Sequence, residues 1–264
     1  MPVILDMPNA EYHASTHLSS SGAKTIALQS LADFKYAERK ETPALLIGSA
    51  AHTLTFEPHL VDTIWQWDGR RAGKDYNEFK ESADAAGAIV LNTAEYDKVN
   101  RIAEAVRSNQ AAAELLAGDL VCEASVFATD PDTKVDMRAR PDGWRQDIAC
   151  LLDLKTTIDP SPEGFAKQAA NLGYHIQESF YRRVLELDGH EVDGFIFIAV
   201  GKEAPYKVGI YELDAESLME GQMAVQYALE QYAIAQANNE WGYSYGELMT
   251  IRIPPYSFKF TEAN

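Results

Sequence analysis

The sequence predicts an α/β fold with a central mixed sheet flanked by helices. Three observations predict it. Residues 192–200 (Val-Asp-Gly-Phe-Ile-Phe-Ile-Ala-Val) read as a strand whose run from Phe195 is apolar on both faces, so it is covered on each side. Residues 151–156 (Leu-Leu-Asp-Leu-Lys-Thr) read as a second short buried strand. Residues 174–187 and 214–238 read as helices, the second of them long and amphipathic.

Composition sets the frame. The chain has 264 residues, 46% of them hydrophobic, enough for one large core or a core with a lid. No internal repeat, low-complexity run or linker interrupts it, so residues 1–264 read as a single domain. Its parts are N-terminal helices over about 19–117, a central core over about 118–213, and a C-terminal helix and tail over 214–264. No apolar run approaches the ~20 residues of a membrane span, and the start lacks a basic-then-apolar signal peptide. A cytoplasmic protein with no membrane partner is expected. Cys122 and Cys150 lie in apolar, strand-like segments and read as buried free thiols. The net charge is −17, unfavourable for a general electrostatic grip on nucleic acid. Residues 1–185 hold 19 Lys/Arg against 27 Asp/Glu, whereas residues 186–264 hold 4 against 13, so the acidic excess is densest in the last third.

The elements follow in order. Residues 1–12 look extended. Residues 13–21 form a polar turn ending in serines suited to cap a helix from Gly22, with Ile26, Leu28, Leu31 and Phe34 near helical spacing. Pro43 suits the first turn of a second helix through Leu54, with Gly48 and His52 sharing a face. The glycine would admit a close backbone and leave space beneath the imidazole. Residues 65–87 carry a glycine-broken basic segment, then a short amphipathic helix. Arg70, Arg71, Lys74 and Lys80 sit among Trp65, Trp67, Tyr76 and Phe79, a set able to grip a backbone or stack on an unpaired base. It reads equally as a surface loop. Residues 88–92 are a short strand or turn. Thr93 caps a helix to about Val106, and a short helix spans 110–116.

Residues 120–127 alternate as a strand and 134–140 return as its hairpin partner across the turn at 129–133. Glu123 shares a face with Ser125 and Phe127. Arg138 and Arg140 share a face turned to a groove or to solvent. Residues 147–156 form the third strand, with Leu152 and Leu154 on one side and Asp153 and Lys155 on the other. A carboxylate and an ammonium on a leucine strand are costly to bury without a purpose. Asp142 stands at a Pro-Asp-Gly turn, and an antiparallel return would set it beside Asp153. Two carboxylates and a lysine at a sheet edge suit divalent-metal binding and attack on a phosphodiester. A helix from about Glu163 to Gly173 precedes helix 174–187, on which Gln177 and Tyr181 share a face and Arg182 and Arg183 lie toward the end. Residues 206–211 form a neighbouring strand, and the tail from 251 is extended and aromatic.

Pro141-Asp142 followed by Asp153-x-Lys155 resembles the signature of the PD-(D/E)xK nuclease superfamily. Gly48-x-x-x-His52 before it and Gln177-x-x-x-Tyr181 after it give the motif order of the exonuclease branch, which includes RecB nuclease domains and CRISPR-associated exonucleases. From His17-Leu-Ser-Ser-Ser-Gly-Ala to Pro254-Pro-Tyr the chain resembles the nuclease domains of the RecE (exodeoxyribonuclease VIII) type. The resemblance implies a restriction-endonuclease-like core with a first helix covering the site, where Ser19–Ser21 either cap the helix or touch phosphate. It implies His52, Asp142, Asp153 and the Leu154 carbonyl as ligands of Mg²⁺, with Mn²⁺ able to substitute. Lys155 would orient or deprotonate the attacking water and Gln177 would orient site groups. Glu123 would stand near the metals, or else form a cross-strand ion pair. Tyr181 would lie near DNA, with Arg138, Arg140, Arg70, Arg71 and Lys74 as further contacts. The implied activity is 5′ to 3′ processive degradation of double-stranded DNA from its ends, releasing 5′-phosphomononucleotides and leaving 3′ overhangs. The implied assembly is a homotetrameric ring working with a RecT-like single-strand annealing protein. Two cysteines cannot hold an iron–sulfur cluster that takes four. A structure-specific or single-strand endonuclease and a non-catalytic DNA-binding scaffold of the same fold are the alternatives.

Overall fold

Side-chain caps set most helix boundaries in the computed structural model, which describes residues 3–38, 42–242, 248 and 250–258. After α1 (Asn9–Ala14) and the short β1 (Leu18–Ser19), the Ser19 hydroxyl accepts the Gly22 N–H and starts α2 (Ser20–Leu28). Ser30 does the same for α3 (Leu31–Tyr36) and Thr42 for α4 (Pro43–Phe56). Each such cap satisfies an orphan N–H and is worth ~1 kcal/mol. β2 (Ile64–Gln66), α5 (Lys74–Ala85) and β3 (Ile89–Leu91) follow. Asn92 and Glu95 cap α6 (Thr93–Ser108) reciprocally, and Asn109 caps α7 (Gln110–Leu116). Next come β4 (Leu120–Cys122), β5 (Val126–Thr129), β6 (Asp136–Ala139), β7 (Gly143–Arg145) and β8 (Cys150–Thr157). Ser161 caps α8 (Pro162–Leu172), and Gly173, left-handed at φ 65°, turns the chain into α9 (Tyr174–Leu187). β9 (Gly194–Gly201), β10 (Val208–Tyr211) and α10 (Ala215–Asn238), capped by Asp214, complete the fold.

Five expectations change, one of them the third strand, which begins at Cys150 because residues 146–148 form a 3-10 turn closed by left-handed Ala149. Residues 9–14 are helical, not extended. The helix expected through Phe34 breaks at Gln29, because Ser30 supplies a fresh cap; Leu28 is left 47% exposed. Asn92, not Thr93, caps α6. Residues 120–127 form two strands, split at Glu123, whose φ of 51° costs a non-glycine residue on the order of 1 kcal/mol.

Among the described residues the strands form three sheets. The five-stranded sheet runs β10-β9-β8-β7-β4, with β8 and β9 parallel and the other pairs antiparallel. α8 and α9 make the crossover that a parallel pair requires. β5 and β6 form the expected hairpin, extended by β1 parallel to β6, and β2 pairs with β3. The period of two on β8 divides the core. Leu151 faces one apolar cluster with Phe180, Phe195 and Phe197; Leu152 and Leu154 face another with Leu54, Ile102 and Ile198. Each fully buried leucine contributes on the order of 1.5–3 kcal/mol. α9, α2 and α10 cover the first face, and α4 and α6 the second. No helix among the described residues is long and apolar enough to cross a membrane.

One feature of the sheet makes room for chemistry. β7 pairs with β8 only as far as Gly143 opposite Leu152. Asp153 to Thr157 therefore have β9 on one side and no β7 on the other. Gly143 is needed there for packing, because a Cβ would lie 2.7 Å from Phe56 Cε1 and 3.0 Å from Leu120 Cδ1.

Candidate active site

The edge left by β7 is where the motif residues meet. Asp142 is the last residue before β7, and its Oδ2 accepts the Leu154 N–H at 2.7 Å. N–H and C=O of one strand residue point to the same side, so the Leu154 carbonyl faces Asp142 as well. α4 approaches from one face of the sheet and places His52 Nδ1 3.0 Å from Asp142 Oδ2. α9 approaches from the other, and Gln177 donates to Asp153 Oδ1 at 2.5 Å. Lys155 Nζ lies 2.5 Å from Asp153 Oδ2 and donates to Gln177 Oε1 at 3.1 Å. The left-handed turn at Glu123 returns that residue to the same edge. Its N–H reaches the Asp142 carbonyl at 3.4 Å. One ligand atom from each of His52, Glu123 and Asp142 falls within 4.8 Å of the others.

Burial and mutual charge set the electrostatics. Burial pushes the His52 imidazole down, but the Asp142 carboxylate outweighs it and raises the pKa to about 9. Burial pushes Asp142 up, yet the His52 charge and hydrogen bond, Lys155 and the Leu154 N–H hold it below its ordinary value. Asp153 moves the other way, raised because burial outweighs Lys155. Lys155 is raised by Asp153 and Asp142 against the effect of burial. Burial, then Asp142, lifts Glu123 to about 8. Three acids share one small volume, which is the charge pattern a cation relieves.

These donors fit a divalent metal. His52, Glu123 and Asp142 would hold it, and the Leu154 carbonyl faces the same side. His52 would have to surrender its proton to do so. Asp153, also expected to hold the metal, lies with its oxygens toward Gln177 and Lys155, and Glu123 joins His52 and Asp142. Asp153 Oδ2 is buried and accepts no well-aligned hydrogen bond, with only the Lys155 ammonium beside it.

A cavity of about 840 Å³ adjoins the acids, lined by Tyr12, Ser20, Glu123, Arg138, Asp142 and Tyr181 among others. Tyr181 is only 9% exposed, and its phenol lies beside the Ser20 hydroxyl. Burial, then Tyr12, Asp153 and Asp142, hold that phenol well above its ordinary pKa, so it keeps its proton. Arg138 and Arg140 line the cavity but are not turned to solvent. Arg138 bonds to the Tyr12 and Ser15 carbonyls; Arg140 bonds to the Met7 carbonyl and the Ser125 hydroxyl. Both guanidinium groups stack on the Tyr12 ring. They anchor residues 7–15 to the hairpin, which the alternation pattern could not show.

Other expected contacts lie outside this cluster. Arg71 pairs with Glu95, and Lys74 Nζ lies 3.6 Å from Glu78 on α5. Arg70 is exposed, and its carbonyl accepts the Trp67 indole N–H at 3.3 Å. Gly48 does not admit a backbone as expected: a Cβ there would meet nothing within 4 Å. Arg182 and Arg183 are held by Glu178 and Asp130 and do not cap the end of α9. Sequence reasoning missed Lys24 and Tyr174. The i, i+4 spacing of Ser20 and Lys24 on a helix next to the motif was the available signal.

A model of the PDDEXK-like domain of unknown function (DUF3799) matches residues 18–253, which include every residue of this cluster. The chain belongs to that family. Among solved structures this DUF3799 chain is similar to a candidate exonuclease from Eubacterium rectale. The TM-score is 0.63 at 15% identity, over 90% of this chain and 88% of that one. A phage-related exonuclease from Haemophilus somnus 129PT matches over 87% of this chain and 99% of that chain, at TM-score 0.38 and 13% identity. No curated protein matches. The family match and the first superposition establish a PD-(D/E)xK, restriction-endonuclease-like fold. Nothing in them singles out the RecE type.

Proposed function

We propose that this chain is a Mg²⁺-dependent exodeoxyribonuclease acting on double-stranded DNA ends. The observation that carries the reading is the meeting of His52, Glu123 and Asp142 with Asp153, Lys155 and Gln177 where β7 leaves β8 without a partner. Mn²⁺ would substitute for Mg²⁺, because the donors are mostly hard oxygens with one imidazole. The metal would lower the pKa of a bound water and stabilise charge on the phosphoryl oxygens. The remaining work falls to the protein. Gln177 holds both Asp153 and Lys155, fixing the lysine where a nucleophilic water and the scissile phosphate would meet. Lys155 keeps its proton at neutral pH and offsets charge on the phosphate, or passes through its neutral form to accept the proton of water. Tyr181 and Ser20 wall the cavity and exclude bulk water from one side. The likeness to the E. rectale protein and the RecE-type motif order support an exonuclease. From the second come 5′ to 3′ polarity, processivity, 3′ overhangs, a homotetrameric ring and a RecT-like annealing partner.

The test uses end-labelled linear duplex and covalently closed circular DNA with Mg²⁺, with EDTA, and with Ca²⁺ in place of Mg²⁺. Linear duplex should be degraded only with Mg²⁺, and the circle should survive. Cleavage of the circle would make the protein an endonuclease. Undiminished activity in Lys155→Ala would remove the role given to the lysine. A monomer in sedimentation at working concentration would remove the ring.

A further inference from the structure

α2 and α9 run antiparallel, and the face between them carries a second lysine to the site. Ser20 lies beside Tyr181 at one end. At the other, a Cβ at position 173 would lie 3.2 Å from Lys24 Cδ, so the Lys24 stem runs along Gly173. Lys24 Nζ is 5.9 Å from the Tyr174 ring centroid, and Lys155 Nζ is 4.7 Å from the same centroid. Two ammonium groups thus share one ring. Lys155 has Asp153 and Gln177. Lys24 is half-buried, and among the described residues it makes no ion pair or hydrogen bond. The stem packs on Gly173 while the ammonium, held by no carboxylate, stays available to a ligand. Burial, and then the charge on Lys155, push Lys24 down to about 8 against the pull of Asp153. It still carries its proton at neutral pH. On the Lys155 side, two ammonium groups face the one carboxylate of Asp153, beside the groups that would cut a phosphodiester.

Resting on the nuclease reading above, we propose that Lys24 is a phosphate-contacting residue, its ammonium pairing with a non-bridging oxygen of the nucleic-acid backbone on the Lys155 side of the site. The weak hold of a ring centroid nearly 6 Å away leaves the ammonium able to turn to an anion. A compact ammonium on a flexible stem binds phosphate as a point charge.

The experiment compares full-length wild type, Lys24→Met, Lys24→Arg and Lys155→Ala. Duplex binding is measured with Ca²⁺ across a salt series, and kcat and KM with Mg²⁺. Lys24→Met should melt no lower than wild type, bind duplex ~10-fold more weakly, and lose about one unit of the slope of log K against log salt. KM should rise more than kcat falls, and Lys24→Arg should recover most of the binding. Unchanged affinity and slope in Lys24→Met would overturn the inference, as would a lowered Tm with unchanged affinity. If Lys24→Met does not fold, Lys24→Gln takes its place under the same criteria. An active wild type silenced by Lys155→Ala but indifferent to Lys24→Met sinks only this inference. A wild type that neither binds nor cuts duplex sinks the nuclease reading and this inference with it.

Discussion

Asp130 and Asp153 are both buried aspartates held against a cation, and their surroundings differ completely. Asp130 Oδ1 accepts the Thr133 N–H and hydroxyl at 2.8 Å each, and Oδ2 accepts Arg183 Nε at 2.8 Å. Burial pushes its carboxyl up, but the Thr133 bonds and Arg183 hold it below the usual range. Asp153 receives one aligned hydrogen bond, from Gln177, and burial raises its carboxyl despite Lys155. Burial of charge is therefore not what marks a site. Asp130 is saturated by its own turn and serves the hairpin. Asp153 is left with bonding capacity that its surroundings do not use, and that capacity is available to chemistry.

The largest effect that would separate the two comes from Asp153→Asn/Lys155→Met. Replacing both partners removes a charged pair at nearly constant volume, so Tm should stay the same or rise. Activity should fall on the order of 10³-fold or more, because both the charge offset and the water-orienting amine are gone. Single-turnover cleavage and thermal denaturation read the two quantities independently. A Tm loss as large as that of an Asp130 variant would erase the distinction.

The reciprocal variant is Asp130→Ala. It strands Arg183 and the Thr133 donors, at a cost of ~3–5 kcal/mol. Cleavage per folded molecule should be unchanged. Denaturant titration gives the first number, and activity scaled to the folded fraction gives the second. Loss of activity in the folded fraction would mean that the hairpin acts on the site.

The same contrast explains what the sequence could reveal. Asp153 and Lys155 were legible because they violate the apolar pattern of a buried strand. Asp142 was legible because an antiparallel return at Pro-Asp-Gly has one simple geometry, and the observed register of β7 on β8 follows it. Helix starts were legible near Ser161 and Asp214, but not at Ser30, where an apolar repeat ran on across the cap. Glu123 was not. Alternation predicts a face only while the strand continues, and the strand ends there in a left-handed turn that hands the chain from one sheet to another. Arg138 and Arg140 line the cavity, one of the two placements expected, but their anchoring role was hidden for a related reason. Period two gives the face, but not that residues 7–15 fold back over it. Lys24 was missed because its meaning depends on the antiparallel docking of α2 on α9, which the i, i+4 spacing from Ser20 does not fix.

Glu178 sharpens the comparison further. It neighbours Gln177 on α9, is buried, and pairs with Arg182 at 3.0 Å, while its Oε2 has no hydrogen-bond partner. Burial lifts its pKa to about 7 against the pull of Arg182. Between the unfolded value near 4.5 and the folded value near 7, the native state holds the proton more tightly. Its contribution is full below the unfolded pKa and is lost as pH rises through 7. Glu178→Gln should therefore gain stability relative to wild type as pH goes from 5 to 8, by on the order of 2–3 kcal/mol. Urea titrations at the two pH values, in EDTA, read the difference between the proteins and cancel groups common to both. A constant difference would mean that Glu178, like Asp130, is fully satisfied.

The smallest effect belongs to the exposed basic segment. Asp68 accepts the Thr93 N–H and hydroxyl at 2.8 and 2.6 Å, Arg71 pairs with Glu95, and Trp67 packs on Tyr76 and Phe79, so the segment is pinned to the start of α6 and to α5. Arg70 and Lys74 are the members turned outward. Arg70→Ala/Lys74→Ala should leave Tm unchanged, since neither head group is buried. If the segment meets DNA, duplex affinity should fall a few-fold at low salt and the loss should vanish as exposed charges are screened. The Lys24 loss should fall with salt as well, but it should start larger, at ~10-fold. An affinity loss in the double variant that survives high salt would place a desolvated phosphate contact on this loop, and the buried cluster would no longer be the sole source of strong binding.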